Sequence, residues 1–194
     1  MVKARRCGWC GDDPLYVAYH DDEWGVPERA PKALFERLVL EGMQAGLSWL
    51  TILKKREGMR ARFFAFDPGR LAAAGEADVR SWLADPAVIR HRGKLEAMIA
   101  NARAYLQLED FSGFLWSIVD GAPRQNRWRH LRSVPSETAE SRELARRLKS
   151  AGFRFVGPTT CYALMQSAGL VNDHLISCPS HRSCAEAWAT LCSA

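Results

Sequence analysis

The chain has 194 residues, 47% of them hydrophobic and 25% charged, with seven Trp and eight Phe. This suffices for one packed domain and excludes a disordered or low-complexity chain. Its 27 Lys and Arg against 22 Asp and Glu leave a net charge of +5, which permits a polyanionic partner without demanding one.

The N-terminal stretch Met1–Cys7 is charged but lacks an apolar run behind it, so it does not read as a secretory signal. No apolar run reaches the length of a membrane span. A cytoplasmic protein is expected, in which cysteines serve as metal ligands, buried thiols or redox groups rather than disulfides.

Helical spacing runs through nearly the whole sequence. Pro31 suits a first turn, with Leu34, Phe35, Leu38 and Val39 on one face and Gly46 as the stop. Ser48 is the expected N-cap of a second helix, from Trp49 to about Phe64. Asp67-Pro68 and Asp85-Pro86 each read as an N-cap followed by proline at the first helical position. A long helix is expected over His91 to Leu108, and a short apolar one over 112–119 that ends at Gly121. Residues 121–136 read as a polar, basic loop. Another helix stops at Gly152, and a last clear one runs from Pro158 to Gly169. No alternating run bounded by hairpin turns is present, so an all-α, single-domain chain over residues 1–194 is the economical expectation.

Basic residues form three short clusters: Lys54 to Arg62; Arg90 to Lys94; and Arg124, Arg127, Arg129 and Arg132. Each alone reads as a solvated face, but three together make phosphate contact worth testing. Between the last two clear helices, Gly152-Phe153-Arg154-Phe155-Val156-Gly157-Pro158-Thr159-Thr160 forms a short turn. Gly157 is expected at positive φ, and the unpaired N–H groups that follow it suit a phosphate. The segment resembles a degenerate helix-hairpin-helix element, with Phe155 where the first glycine of the usual Gly-hydrophobic-Gly belongs. A plain capped helical hairpin fits the same residues.

Cys7 and His20 near one end, with His174 and Cys178 near the other, satisfy a tetrahedral Zn²⁺ by ligand type. His174 and Cys178 share a face if their segment is helical. Cys10 completes a CxxC with Cys7 and competes with His20, and His181 and Cys184 are further spare ligands. The segment Trp9 to Trp24 is dense in aromatics with polar tips, which line pockets for flat polar ligands or simply pack a core. Glu41 lies seven residues after Leu34, at the edge of an apolar stripe, where an unpaired carboxylate is costly. Leu47, on a glycine-bearing turn after Gly46, has the form of a wedge into stacked bases, or of an ordinary packing residue.

These pieces occur together in one order: Cys7-Gly8-Trp9, Asp13-Pro14-Leu15-Tyr16, Tyr19-His20-Asp21, Glu23-Trp24-Gly25-Val26-Pro27, Leu40-Glu41-Gly42, Gln44 to Trp49, Ile89 to Lys94, Asn101 to Tyr105, Phe155-Val156-Gly157 and Gly169 to His174. Over about residues 7–178 the chain resembles the bacterial 3-methyladenine DNA glycosylase I family. The resemblance implies an all-α helix-hairpin-helix glycosylase fold and excision of N3-methyladenine from alkylated double-stranded DNA. It implies one structural zinc on Cys7, His20, His174 and Cys178. Glu41 and Tyr19 become polar contacts to the base, with Glu41 as the candidate catalytic group. Trp9, Tyr16 and Trp49 shape and stack, Gly46 and Leu47 form the DNA wedge, and Gly157, Thr159 and Thr160 hold the backbone. A monomer without an obligate protein partner is expected. Asp173 lies near the region where related glycosylases place a catalytic aspartate, but it adjoins a proposed metal ligand and is assigned no chemistry. Residues 180–194 match no usable pattern. The rival reading is a helix-hairpin-helix DNA-binding module without catalysis.

Overall fold

The structure, a computed structural model, describes residues 6–193. Ten α-helices account for most of them: α1 Pro14–Asp22, α2 Pro31–Gln44, α3 Trp49–Arg62, α4 Pro68–Ala73, α5 Glu76–Ala84, α6 Arg92–Tyr105, α7 Phe111–Trp116, α8 Ala139–Ser150, α9 Pro158–Ser167 and α10 Pro179–Ser193. The expected all-α architecture is present, with one addition. Two-residue strands β1 Arg124–Gln125 and β2 Val171–Asn172 pair in parallel, Arg124 opposite Val171.

Local chemistry explains most helix starts. Asp13, Ser48, Asp67, His91, Asp110 and Thr138 each accept a backbone N–H of the first turn. Pro14, Pro31, Pro68 and Pro158 occupy first-turn positions where no N–H is needed. Helix α2 is central and packs on α3, α6, α7 and α9. Leu34, Phe35, Leu38 and Met43 of α2 are buried with Leu95 and Met98 of α6, and with Tyr162 and Met165 of α9, in one hydrophobic core. Gly169, at φ 71°, lets the chain leave α9 against the Val26–Pro27 backbone; a Cβ there would lie 2.5 Å from the Pro27 nitrogen.

Several expectations are corrected. No helix starts at Pro86: Asp85 ends α5, and its Oδ1 accepts the Ala87 N–H at 2.8 Å in a turn. His91 then takes the capping role for α6, leaving too few residues between for a helix. Gly157 has φ −71° and serves as the N-cap of α9; Gly152 (φ 93°) and Phe155 (φ 55°) are the left-handed residues of the hairpin. His174 to Cys178 is a turn rather than a helix, because Cys178 precedes Pro179 and the residue before proline is driven from helical angles. Helix α3 ends at Arg62 in a left-handed turn at Phe64–Phe66, and α6 ends at Tyr105. Helices α1, α5 and α10 were not anticipated.

Candidate functional site: an aromatic, carboxylate-bearing pocket beside a metal-ligating cluster

Helix α1 and the 3-10 turn Gly8–Cys10 before it bring Trp9, Tyr16 and Tyr19 to one wall of a cavity of about 330 Å³. Glu41 and Gln44 from α2, Trp49 from the start of α3, Gln166 from α9 and Asp173 after β2 complete it. Trp9, Tyr16, Tyr19, Glu41 and Trp49 thus line one cavity. Trp24, Gln44, Gln166 and Asp173 were missed as lining. Only Trp24, inside the aromatic-dense segment, carried a local signal.

The aromatic wall has two groups of touching rings. Trp9 lies 5.2 Å from Tyr16 and 4.9 Å from Trp24, ring centre to ring centre, and Tyr19 lies 5.3 Å from Trp49. Electron-rich faces of this kind attract a cation. The buried Trp49 Nε1 has no acceptor among the described residues, a donor that a water or ligand must complete. Burial pushes Tyr19 well above the ordinary phenol range, and Glu41 adds to it, so the phenol stays a neutral donor.

Glu41 is 4% exposed. Burial pushes its carboxyl up to about 8, while the Ser167 hydroxyl and the Arg37 charge pull it back. Asp173 is buried too, but fully engaged. Its Oδ1 accepts from Asn126 (2.6 Å) and Trp128 (2.7 Å), and its Oδ2 from Tyr162 (2.6 Å) and Gln166 (2.7 Å). With four donors a carboxylate has no free acceptor site. Asp173 therefore ties the loop after α7 to α9 and orients the Gln166 amide in the pocket wall.

Behind this wall Cys7, His20, His174 and Cys178 are all buried, their ligand atoms within 4.8 Å of one another. Cys7 Sγ stands 3.6 Å from His174 Nδ1, and Cys178 Sγ stands 3.7 Å from His20 Nε2 and 3.8 Å from His174 Nδ1. A tetrahedral zinc with usual bond lengths has S···N edges of about 3.6 Å, so the residues fit the ion. The outer nitrogens are partnered as metal-bound imidazoles require: His20 Nδ1 with Asp21 Oδ1 and His174 Nε2 with the Trp24 carbonyl, both at 2.8 Å. Hydrogen bonds from Cys7, His174 and His20 push the Cys178 thiol down, and that partnership with burial pushes Cys7 up. Cys10 is outside the set, its thiol turned to the Cys7 carbonyl at 3.2 Å. His181 and Cys184 are outside it as well, facing the Asn126 and Trp24 carbonyls.

The other expected site residues do not line the pocket. Leu47 is 40% exposed at the tip of the α2–α3 turn, after Gly46 at φ 79°. Lys94 holds that turn from α6, donating to the Met43 (2.8 Å) and Ala45 (2.6 Å) carbonyls. The Gly157–Thr160 helix start lies at the hairpin, with Thr159 exposed and Thr160 half-buried. Asn101, also on α6, fixes that hairpin through both backbone groups of Arg154, at 2.7 and 3.1 Å.

An all-α chain with such a hairpin, an exposed apolar turn and an aromatic, acidic pocket defines the helix-hairpin-helix class. The profile of the methyladenine glycosylase family matches residues 9–181. The chain is 54% identical over 177 residues to DNA-3-methyladenine glycosylase 1 of Escherichia coli (strain K12), covering 89% of this chain and 95% of that protein. It is 50% identical over 182 residues to DNA-3-methyladenine glycosylase of Haemophilus influenzae, covering 92% and 98%. Among solved structures, a 3-methyladenine DNA glycosylase I superposes with a TM-score of 0.89 at 53% identity, covering 90% of this chain and 98% of that one. The Staphylococcus aureus enzyme, described in terms of 3-methyladenine recognition, superposes with 0.88 at 40% identity, covering 90% and 95%. The chain belongs to the methyladenine glycosylase family and is an enzyme.

Proposed function

We propose that the protein excises N3-methyladenine from alkylated double-stranded DNA, leaving an abasic site. The observation that carries this reading is a carboxylate, Glu41, buried in a wall of Trp and Tyr faces. Methylation at N3 makes the base cationic, so an acidic aromatic pocket selects it over unmodified adenine, which also pairs normally and costs more to flip. The flipped base enters between Trp9, Tyr16 and Trp49. Tyr19 offers a neutral hydroxyl, and Glu41 accepts from the exocyclic amino group. The N9–C1′ bond breaks with its electron pair going to the base, which leaves neutral and needs no general acid. Water adds hydroxyl to C1′ and loses its other proton to solvent. Ionised Glu41 stabilises positive charge on base and sugar until the bond has broken.

Leu47 after Gly46 fills the gap left by the flipped nucleotide, and the N–H groups of Thr159 and Thr160 after Gly157 hold a backbone phosphate. Zinc is the metal whose ligand softness and geometry suit Cys7, His20, His174 and Cys178; bound there, it supplies structural cross-linking. Residues 1–194 act as one cytoplasmic, monomeric domain; consistent with this, no helix among the described residues is long and apolar enough to cross a membrane.

The test is chromatography of bases released from methylated duplex DNA by the wild type and by Glu41→Ala. Release of 3-methyladenine by the wild type, reduced about 100-fold or more in the variant, is expected. No release from folded, metal-loaded wild type would leave the non-catalytic DNA-binding reading in its place.

A further inference from the structure

Between Asp120 and Glu137 the chain carries no carboxylate, yet it holds Arg127, Arg129 and Arg132 with His130. The segment is firmly held. Asn126 and Trp128 turn inward onto Asp173, the Trp128 carbonyl accepts the Ile176 N–H at 3.0 Å, and β1 pairs with β2 just before. The alternate residues face out: Arg127 and Arg129 are exposed, as is Arg132 in the next turn.

These three side chains form no ion pair or hydrogen bond with any described residue. Many other arginines are paired: Arg56 and Arg60 with Glu36, Arg62 with Asp85, Arg92 with Glu76, and Arg146 with Glu143. Arg124, in the same loop, pairs with Glu140. Three unpaired guanidinium groups in one short, fixed segment leave their charge available to an anion. Their position supplies the reason. Leu131, between Arg129 and Arg132, is 40% exposed and lines the pocket with Val134, so the loop forms the pocket's lip.

We propose that Arg127, Arg129 and Arg132 grip the phosphates flanking the nucleotide that enters the pocket. This rests on the reading of the pocket as the site of a flipped nucleotide. Such a nucleotide stays bonded to a phosphate on each side, and those phosphates lie at the pocket mouth. Guanidinium forks match phosphate oxygens in pairs. The grip is distinct from the hairpin and from the Leu47 turn, and it reads no sequence.

The experiment measures affinity for a duplex carrying one tetrahydrofuran abasic analogue, by fluorescence anisotropy across a salt series. Wild type is compared with the triple variant Arg127→Gln, Arg129→Gln, Arg132→Gln. The slope of log affinity against log salt should shrink by about 2, close to one for each of the two flanking phosphates, with roughly a tenfold or greater loss at moderate salt. The corresponding triple Lys variant should keep most of the slope. Quenching of tryptophan fluorescence by free 3-methyladenine should be the same in all three proteins, which also reports an intact fold. Replacing the two phosphates flanking the analogue by neutral methylphosphonates should weaken wild type and leave the Gln variant unchanged. Equal slopes in wild type and Gln variant overturn the proposal, and so does an equal methylphosphonate loss in both. Absence of base release by the wild type sinks the enzymatic reading alone, since the slope comparison does not depend on turnover.

Discussion

Glu41 carries a charge where the empty pocket disfavours it and a cationic base favours it. With a folded-state value of about 8 against an ordinary 4.5, the folded protein holds this proton more tightly than the unfolded chain. The stability this gives is complete below the ordinary value and is lost as pH rises through the folded one. Glu41→Gln, which cannot ionise, escapes that loss. The variant should therefore gain on wild type as pH rises across this window, by up to about 5 kcal/mol at its upper end, as read by thermal unfolding at a series of pH values. The groups acting on Glu41 are Arg37 and the Ser167 hydroxyl, with the Tyr16 and Tyr19 phenols nearby. None of them reverses the sign. Catalysis should run the other way, because a cationic substrate selects the ionised carboxylate. Wild-type kcat/KM should rise with pH, be half-maximal near 8 and level off above it, and the Gln variant should lose both the rise and most of the rate. A variant that keeps the pH profile would remove Glu41 from this role.

Helix α6 holds both the Leu47 turn and the hairpin before α9. Lys94 and Asn101 are seven residues apart, so they share one face, and both are buried with their polar ends on backbone groups of other segments. Burial pushes the Lys94 ammonium down from its ordinary value, while two carbonyls at the end of α2 receive its protons. Lys94→Met keeps the stem and removes the donor. It should cost about 1–3 kcal/mol and slow excision from duplex DNA about tenfold through a loosened Leu47 turn, with binding of free 3-methyladenine unchanged. Equal losses for free base and duplex would show that the whole pocket had shifted. The elements that the sequence displays best are those set by local chemistry: Ser48 and Asp67-Pro68 announce helix starts, and Gly46 and Gly152 announce stops. Asp85-Pro86 carries the same local signal and fails, because His91 begins a new helix only a few residues later. The β1–β2 pair joins segments distant in the chain, so no local pattern marks it. Glu41 and Trp49 are readable from helical register, Tyr16 and Tyr19 from the density of polar-tipped aromatics between Trp9 and Trp24, and His20 from its ligand type. The arrival of Gln166 and Asp173 opposite them is a tertiary event.

At the scale of the molecule, the Cys7–His20–His174–Cys178 cluster joins distant segments, Cys7 and His174 standing 167 residues apart in sequence. Closing a loop of that length by a fixed link is worth up to about 5 kcal/mol on chain-entropy grounds. The principal core, from α2 across α6 to α9, lies outside the cluster. The tail helix has its own anchor in Trp188, which stacks on Trp116 at 5.5 Å with the Arg29 guanidinium over both rings. Metal removal should therefore lower thermal stability by roughly 10 °C without melting the helices. The damage should fall on what the cluster positions: α1 with Tyr16 and Tyr19 on one side, and the turn after Asp173 on the other. The hairpin and the Leu47 turn, both held by α6, should survive. Chelation, or Cys178→Ser, should thus leave the far-ultraviolet dichroism and the salt-dependent binding of undamaged duplex nearly intact. Base release should fall sharply and return on addition of zinc to the chelated protein. Complete loss of dichroism on chelation would instead make the cluster a condition of folding, and the core would not be the independent unit its packing indicates.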